Sequence, residues 1–266
     1  MTDRRIVTLP PAERVWAIAA IHGEAERLER LHESLWARMR PTDRLVYLGN
    51  MIGWGADIRG TLDAILAFRR AVIARPGAHA CDVTLLRGRQ EVMWQKLLQL
   101  QFTPDPVAAL QWMTTRGVEA TLAAYGGDPR GGERAARAGT MVVTRWTNNL
   151  RAAMKAHPGH TELLGRLRSA AVTDDGRMLF VNTGLDPEKP LHQQGDLFWW
   201  HGAGFNALDE SGYEGFTRVV RGFDPRRRGP VETAAKVSLD AGAGFGGDLM
   251  AACLGADGRI LERLTA

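Results

Sequence analysis

Three short apolar runs near the start of the chain constrain its fold more than any other feature, because each closes on a glycine-bearing turn. Residues 15–21 end in His22-Gly23, residues 45–48 in Gly49, and residues 83–86 in Arg87-Gly88. Between them, residues 24–40 carry Leu28, Leu31, Leu35, Trp36 and Met39 at helical spacing and stop at Pro41. Residues 60–74 form a second amphipathic stretch, ended by Pro76-Gly77. A continuous apolar run bounded by turn signals reads as a strand buried on both faces. Strands alternating with amphipathic helices imply parallel pairing and crossover connections.

From Glu91 to about Arg168 the pattern turns helical. Segments 91–101, 105–116, 132–139 and 147–155 read as helices, broken at Pro104, Pro106, Gly126-Gly127, Gly131-Gly132 and Pro158-Gly159. Strand signals return at 178–182, 217–221, 234–240 and 248–254. The thirty glycines suit the many turns of an α/β fold better than a helical bundle.

Composition narrows the partners. The formal net charge of +4 is mild, and the densest basic run is only Arg226-Arg227-Arg228. The sequence shows no basic patch interleaved with aromatics, so nucleic acid is not the expected partner. Cys81 and Cys253 lie far apart in apolar segments and predict no disulfide. Residues 1–14 carry no apolar core with a small-residue cleavage site, and no apolar run approaches the ~18 residues of a membrane span. A soluble cytoplasmic protein without membrane contact is expected.

Ligands of open α/β sheets bind outside the carboxyl ends of the strands. The turns there are Ala19-Ala20-Ile21-His22-Gly23, Gly49-Asn50-Met51-Ile52-Gly53-Trp54-Gly55, Arg87-Gly88-Arg89-Gln90-Glu91, Val181-Asn182-Thr183-Gly184 and Arg221-Gly222-Phe223-Asp224-Pro225. In order and spacing they resemble the motifs of calcineurin-like metallophosphoesterases of the phosphoprotein serine/threonine phosphatase type: G-D-x-H-G, G-D-x-x-D-R-G, R-G-N-H-E, V-H-A-G and G-H-T-P. Residues 43–48, 60–66 and 196–199 resemble the family's framework between these motifs, and residues 239–247 resemble its L-D-T-G-A-G-Y-G-G turn. The likeness covers about residues 14–260. It implies an α/β sandwich of two mixed β-sheets flanked by helices, one domain over residues 1–266, with a helical cap insertion at about 92–172.

The resemblance also implies two metal ions ~3.5–4 Å apart that clamp a phosphate. Carried over residue by residue, the first aspartate is Ala20 and the histidine after it remains His22. The bridging aspartate is Asn50, and the second aspartate and phosphate-gripping arginine are Gly53 and Trp54. The asparagine ligand is Arg89, the general-acid histidine is Gln90, and the late histidines are Asn182 and Phe223. Alanine and phenylalanine offer no lone pair, and arginine stays protonated. At an effective dielectric of ~20, a guanidinium ~4 Å from a dication is repelled by roughly 8 kcal/mol. Gln90 has no usable proton for acid catalysis.

The expectation is therefore no catalytic residue, no metal and no cofactor. The chain reads as a pseudophosphatase: a protein-binding regulatory or structural subunit with an unidentified protein partner, or a homo-oligomer. One alternative is a divergent metal-dependent phosphatase or phosphodiesterase that recruits Asp57, Asp186, Asp224 or Asp240. Another is an anion or nucleic-acid binder. For a small anion, His22, Asn50, Arg89, Gln90 and Asn182 would ring a pocket, unless Arg89 pairs with Glu91 or Asp224 while Trp54 and Phe223 plug the cleft. His22 alone reads as a packing residue, Glu91 as a backbone-orienting one, and His157 and His160 as loop residues. Trp94, Trp112, Trp146, Trp199 and Trp200 suit interface anchors or core packing.

Overall fold

The computed structural model describes residues 6–266; residues 1–5, part of the stretch expected to carry no leader, lie outside the described residues. The first strand is β1 (Ile6–Thr8), which the sequence pattern did not signal. β2 (Arg14–Ile18), β3 (Arg44–Tyr47) and β4 (Val83–Leu85) then pair in parallel, joined by α1 (Ala25–Trp36) and α2 (Ile58–Ile73). This is the crossover pattern that the apolar runs predict. α2 starts where the Asp57 side chain accepts the Gly60 N–H at 2.8 Å, a side-chain N-cap.

The helical region holds α3 (Arg89–Leu97), α4 (Pro106–Met113), α5 (Glu119–Ala124), α6 (Pro129–Arg137), α7 (Thr140–Lys155) and α8 (His160–Gly165). The last of these helices ends at Gly165, a few residues before the expected boundary of about 172. Residues 170–172 form β5 (Ala170–Val172), which pairs in parallel with β1 and antiparallel with β6 (Met178–Val181). Two alanines carry little strand propensity, so only their complete burial between neighbours explains the strand. α9 (Leu197–Trp200), α10 (Gly202–Ala207), β7 (Arg218–Arg221), β8 (Val231–Glu232), β9 (Lys236–Ser238), β10 (Met250–Gly255) and β11 (Ile260–Thr265) complete the chain.

The described strands make two mixed sheets, ordered β1-β5-β6-β7-β9-β8 and β11-β10-β2-β3-β4. Residue alternation shows how they stack. Trp16, Ile18, Leu45 and Tyr47 enter a core under α1, α2 and the helices α3 to α8. Their neighbours Val15, Ala17, Val46 and Leu48 enter a second core with Phe180, Val220 and Val237, between the sheets. A third core, with Leu179, Val181 and Val219, lies under Phe198 and Phe205 of α9 and α10. Strands buried on both faces have no polar side to show, which is why β2 and β3 read as continuous apolar runs. Among the described residues no helix is long and apolar enough to cross a membrane.

Candidate functional site

The five motif turns converge at the carboxyl ends of β2, β3, β4, β6 and β7, and backbone hydrogen bonds tie them together. Ile21 and His22 both donate to the Asn50 carbonyl, at 3.0 and 2.8 Å. Gly222 and Phe223 donate to the Asn182 carbonyl at 3.1 and 2.9 Å, and Ala20 donates to Gly222 at 3.0 Å. Glu91, fully buried, accepts the N–H groups of Asn50 (3.0 Å), Met51 (2.7 Å) and Gly88 (2.7 Å), the backbone role expected for it. Burial raises its carboxyl pKa while these donors pull it down. His22, Asn50 and Trp54 hold φ of 55°, 54° and 66°, three of the five non-glycine residues with positive φ among the described residues. Such backbone persists only where its surroundings over-determine it. Gly88 is one surrounding: a Cβ there would meet Asn50 Oδ1 at 2.3 Å and Asn182 Nδ2 at 2.8 Å.

The side chains are disposed as follows. Ala20 presents a buried methyl. The His22 ring stands edge-on to Phe223 and Phe245, with centroids 5.2 and 5.4 Å away. Neither ring nitrogen has a hydrogen-bond partner of good geometry. Burial pushes its pKa down to about 3, the Arg89 charge adds to this, and the nearby Ile52 carbonyl opposes it. Asn50 Oδ1 accepts the Gln90 N–H at 3.0 Å, leaving Nδ2 buried without a partner. Asn182 Nδ2 donates to the Leu48 carbonyl at 2.7 Å, and its Oδ1 accepts the Thr183 hydroxyl at 3.0 Å. Gln90 Nε2 donates to the Arg116 carbonyl at 2.7 Å. Its amide fills the space beside Gly53, where a Cβ would come within 2.3 Å of Oε1.

Arg89 is turned away from this group. Its Nε donates to the Trp199 carbonyl at 3.3 Å, and its guanidinium lies 4.9 Å from the Trp200 ring and 5.7 Å from Phe223. Pairing with Glu91 or Asp224 does not occur, because both acids are committed. Glu91 holds backbone donors, and Asp224 binds Arg221 at 2.9 Å and Arg228 at 2.8 Å. Arg89 instead lines a shallow cavity of about 150 Å³ with Trp200, Asn206, Pro225 and Arg226. Phe223 does pack on His22, and Trp54, 42% exposed, covers the mouth beside Phe245.

These side chains do not fit a two-metal centre. The substitute carboxylates are engaged elsewhere: Asp57 caps α2, Asp186 accepts the Glu188 N–H, and Asp240 accepts the N–H groups of Asp224 and Gly242. Among the described residues, no three His, Cys, Asp or Glu side chains come together to hold a metal ion. His160 needs correction. It is not a loop residue but opens α8, fully buried, with Nδ1 2.8 Å from the Tyr125 hydroxyl and Nε2 3.1 Å from Asp63. The acid facing it comes from α2, 97 positions away, so no local signal could reveal it. Phe245 and Arg116 were also not singled out, because each reaches the cleft from a distant segment.

No family model matches the sequence, and no curated protein does. Solved structures do match. A protein described as a "putative diadenosine tetraphosphatase" shares 17% identity over 98% of both chains, with a TM-score of 0.59. The cold-active protein-tyrosine phosphatase of a psychrophilic Shewanella shares 13% over 99% of this chain and 82% of that one, with a TM-score of 0.52. A serine/threonine phosphatase from Saccharomyces cerevisiae shares 12% over 98% and 82%, also at 0.52. The chain therefore has the metallophosphoesterase-type fold: mixed α/β, two mixed sheets flanked by helices.

Proposed function

We propose that this chain is a catalytically inactive homologue on the metallophosphoesterase scaffold, acting as a protein-binding regulatory or structural subunit. The observation that carries this reading is the box around His22. The one imidazole kept at the family's ligand positions is enclosed by Phe223 and Phe245, beside Ala20, while Asn182 spends both ends of its amide inside the protein. A phosphoryl-transfer site needs open coordination positions and a positioned water, and this packing supplies neither. Cys81 and Cys253 are unpaired, which suits a reducing compartment, and we place the protein in the cytoplasm.

The test is hydrolysis of para-nitrophenyl phosphate and of a phosphoserine peptide in excess manganese. The reading predicts no turnover above buffer. Turnover that the His22→Asn variant abolishes would overturn it.

A further inference from the structure

A closed circuit of aromatic rings and guanidinium groups surrounds the mouth of the cleft, built from segments far apart in sequence. Arg227 lies 4.4 Å over Phe245, and Phe245 packs 5.1 Å from Trp54. Trp54 lies against Gly117, where a Cβ would sit 2.5 Å from the indole, and the Trp54 backbone N–H donates to the Gly117 carbonyl at 3.1 Å. The neighbouring Arg116 lies 4.5 Å over Trp112, and Trp112 meets Trp200 at 5.9 Å. Arg89 spans Trp200 and Phe223, and Phe223 closes the circuit through His22 to Phe245.

Two features separate this collar from ordinary core packing. Trp54 and Trp112 are each 42% exposed, so large apolar surface meets solvent at one place. And among the described ion pairs none joins Arg89, Arg116 or Arg227 to a carboxylate. The nearby Asp224 is buried and already shared by Arg221 and Arg228. Burial lowers the Arg89 pKa, and repulsion from the Arg116 charge adds to it. The cleft mouth is thus apolar and carries uncompensated positive charge. Tryptophan and arginine are also the residue types that carry most of the binding energy at protein interfaces.

We propose that this collar is the protein's docking face and that its partner is an anionic peptide segment bearing an apolar or aromatic side chain. The inference rests on the protein-binding reading above. The apolar side chain packs on Trp54 and Trp112, and its anionic neighbours answer Arg89, Arg116 and Arg227 through charge-assisted hydrogen bonds. The anion is a carboxylate or a peptide-borne phosphoryl group. Nucleic acid fits less well. The guanidinium groups already lie over the rings of Trp112, Trp200 and Phe245, and they encircle a mouth instead of lining a track for a phosphate backbone.

The test uses the full chain and labelled peptides of alternating leucine and glutamate, the same peptide with phosphoserine for glutamate, a lysine version, and an oligothymidylate. Anisotropy and tryptophan emission report binding. The glutamate or phosphoserine peptide is expected to bind saturably and the lysine version not to bind. Affinity should fall about tenfold or more in the Arg89→Glu, Arg116→Glu double variant. It should fall again with added salt. Arg227→Glu, at an exposed side chain, is expected to weaken binding too and guards against misfolding of the double variant. Binding of the phosphoserine peptide alone assigns the phosphoryl source; binding of both assigns the carboxylate. No binding by either, equal affinity in every variant, or tighter binding of the oligothymidylate overturns the proposal. Hydrolysis of the phosphoserine peptide would instead overturn the non-catalytic reading, so the two failures are distinguishable.

Discussion

Acid should destabilise this protein through two histidines that it holds neutral. His22 is 1% exposed and His32 6%, and burial pushes both pKa values down to about 3 from 6.5. His32 meets the Tyr47 hydroxyl at 2.8 Å and stacks on Phe68 with centroids 4.1 Å apart. The folded pKa lies below the unfolded one, so between pH 6.5 and 3 the unfolded chain binds more protons. Stability from these groups is fully present above pH 6.5 and is lost as pH falls through that window. At pH 5, each imidazole costs about 2 kcal/mol relative to neutral pH. That is a large share of the roughly 5–15 kcal/mol that holds a typical protein folded. The perturbation is His22→Asn, since asparagine tolerates the positive φ at this position. Urea unfolding at pH 7 and pH 5 gives the assay. The wild type should lose about 2 kcal/mol more than the variant over that interval, because every other titrating group cancels in the difference. An identical loss in both proteins would refute the reasoning.

Two further perturbations probe how the turns are held. Glu91→Gln keeps one acceptor oxygen and turns the other into a donor, so the buried N–H groups of either Asn50 and Gly88 or Met51 and Ile52 lose their acceptor; urea unfolding should show a loss of about 2–3 kcal/mol, and no loss would mean that these bonds are not needed. Gly117→Ala places a methyl 2.5 Å from the Trp54 indole at a φ of 100°. It should cost about 1–3 kcal/mol and shift tryptophan emission to the red as Trp54 swings outward; an unchanged spectrum would place Trp54 elsewhere.

Much of this architecture was legible in the sequence, and the exceptions have physical causes. β2, β3 and their crossover helices showed clearly because their burial pattern is written in consecutive residues. β5 was hidden because Ala170 and Ala171 look neutral, and β11 because charged Glu262 and Arg263 interrupt its apolar residues on an exposed edge. α7 starts at Thr140, earlier than its pattern suggested, because Val142, Val143 and Thr144 are β-branched and weaken the helical signal. The fold brings His22, Asn50, Gln90 and Asn182, each read from a separate motif turn, to one end of the strands. Arg89 could not be oriented from sequence, since its direction depends on Trp199 and Trp200, 110 and 111 positions later. The basic and aromatic collar was invisible for the same reason. Arg226-Arg227-Arg228 looks isolated in the chain, yet the fold sets Arg227 on Phe245.

The central claim is that the described residues of the cleft offer no metal-binding donor set. Elemental analysis of the full chain after dialysis against manganese and then metal-free buffer tests it most directly. The box around His22 predicts far less than one manganese per chain, the same in wild type and in His22→Asn. Retention of about two per chain in the wild type, lost in the variant, would contradict it.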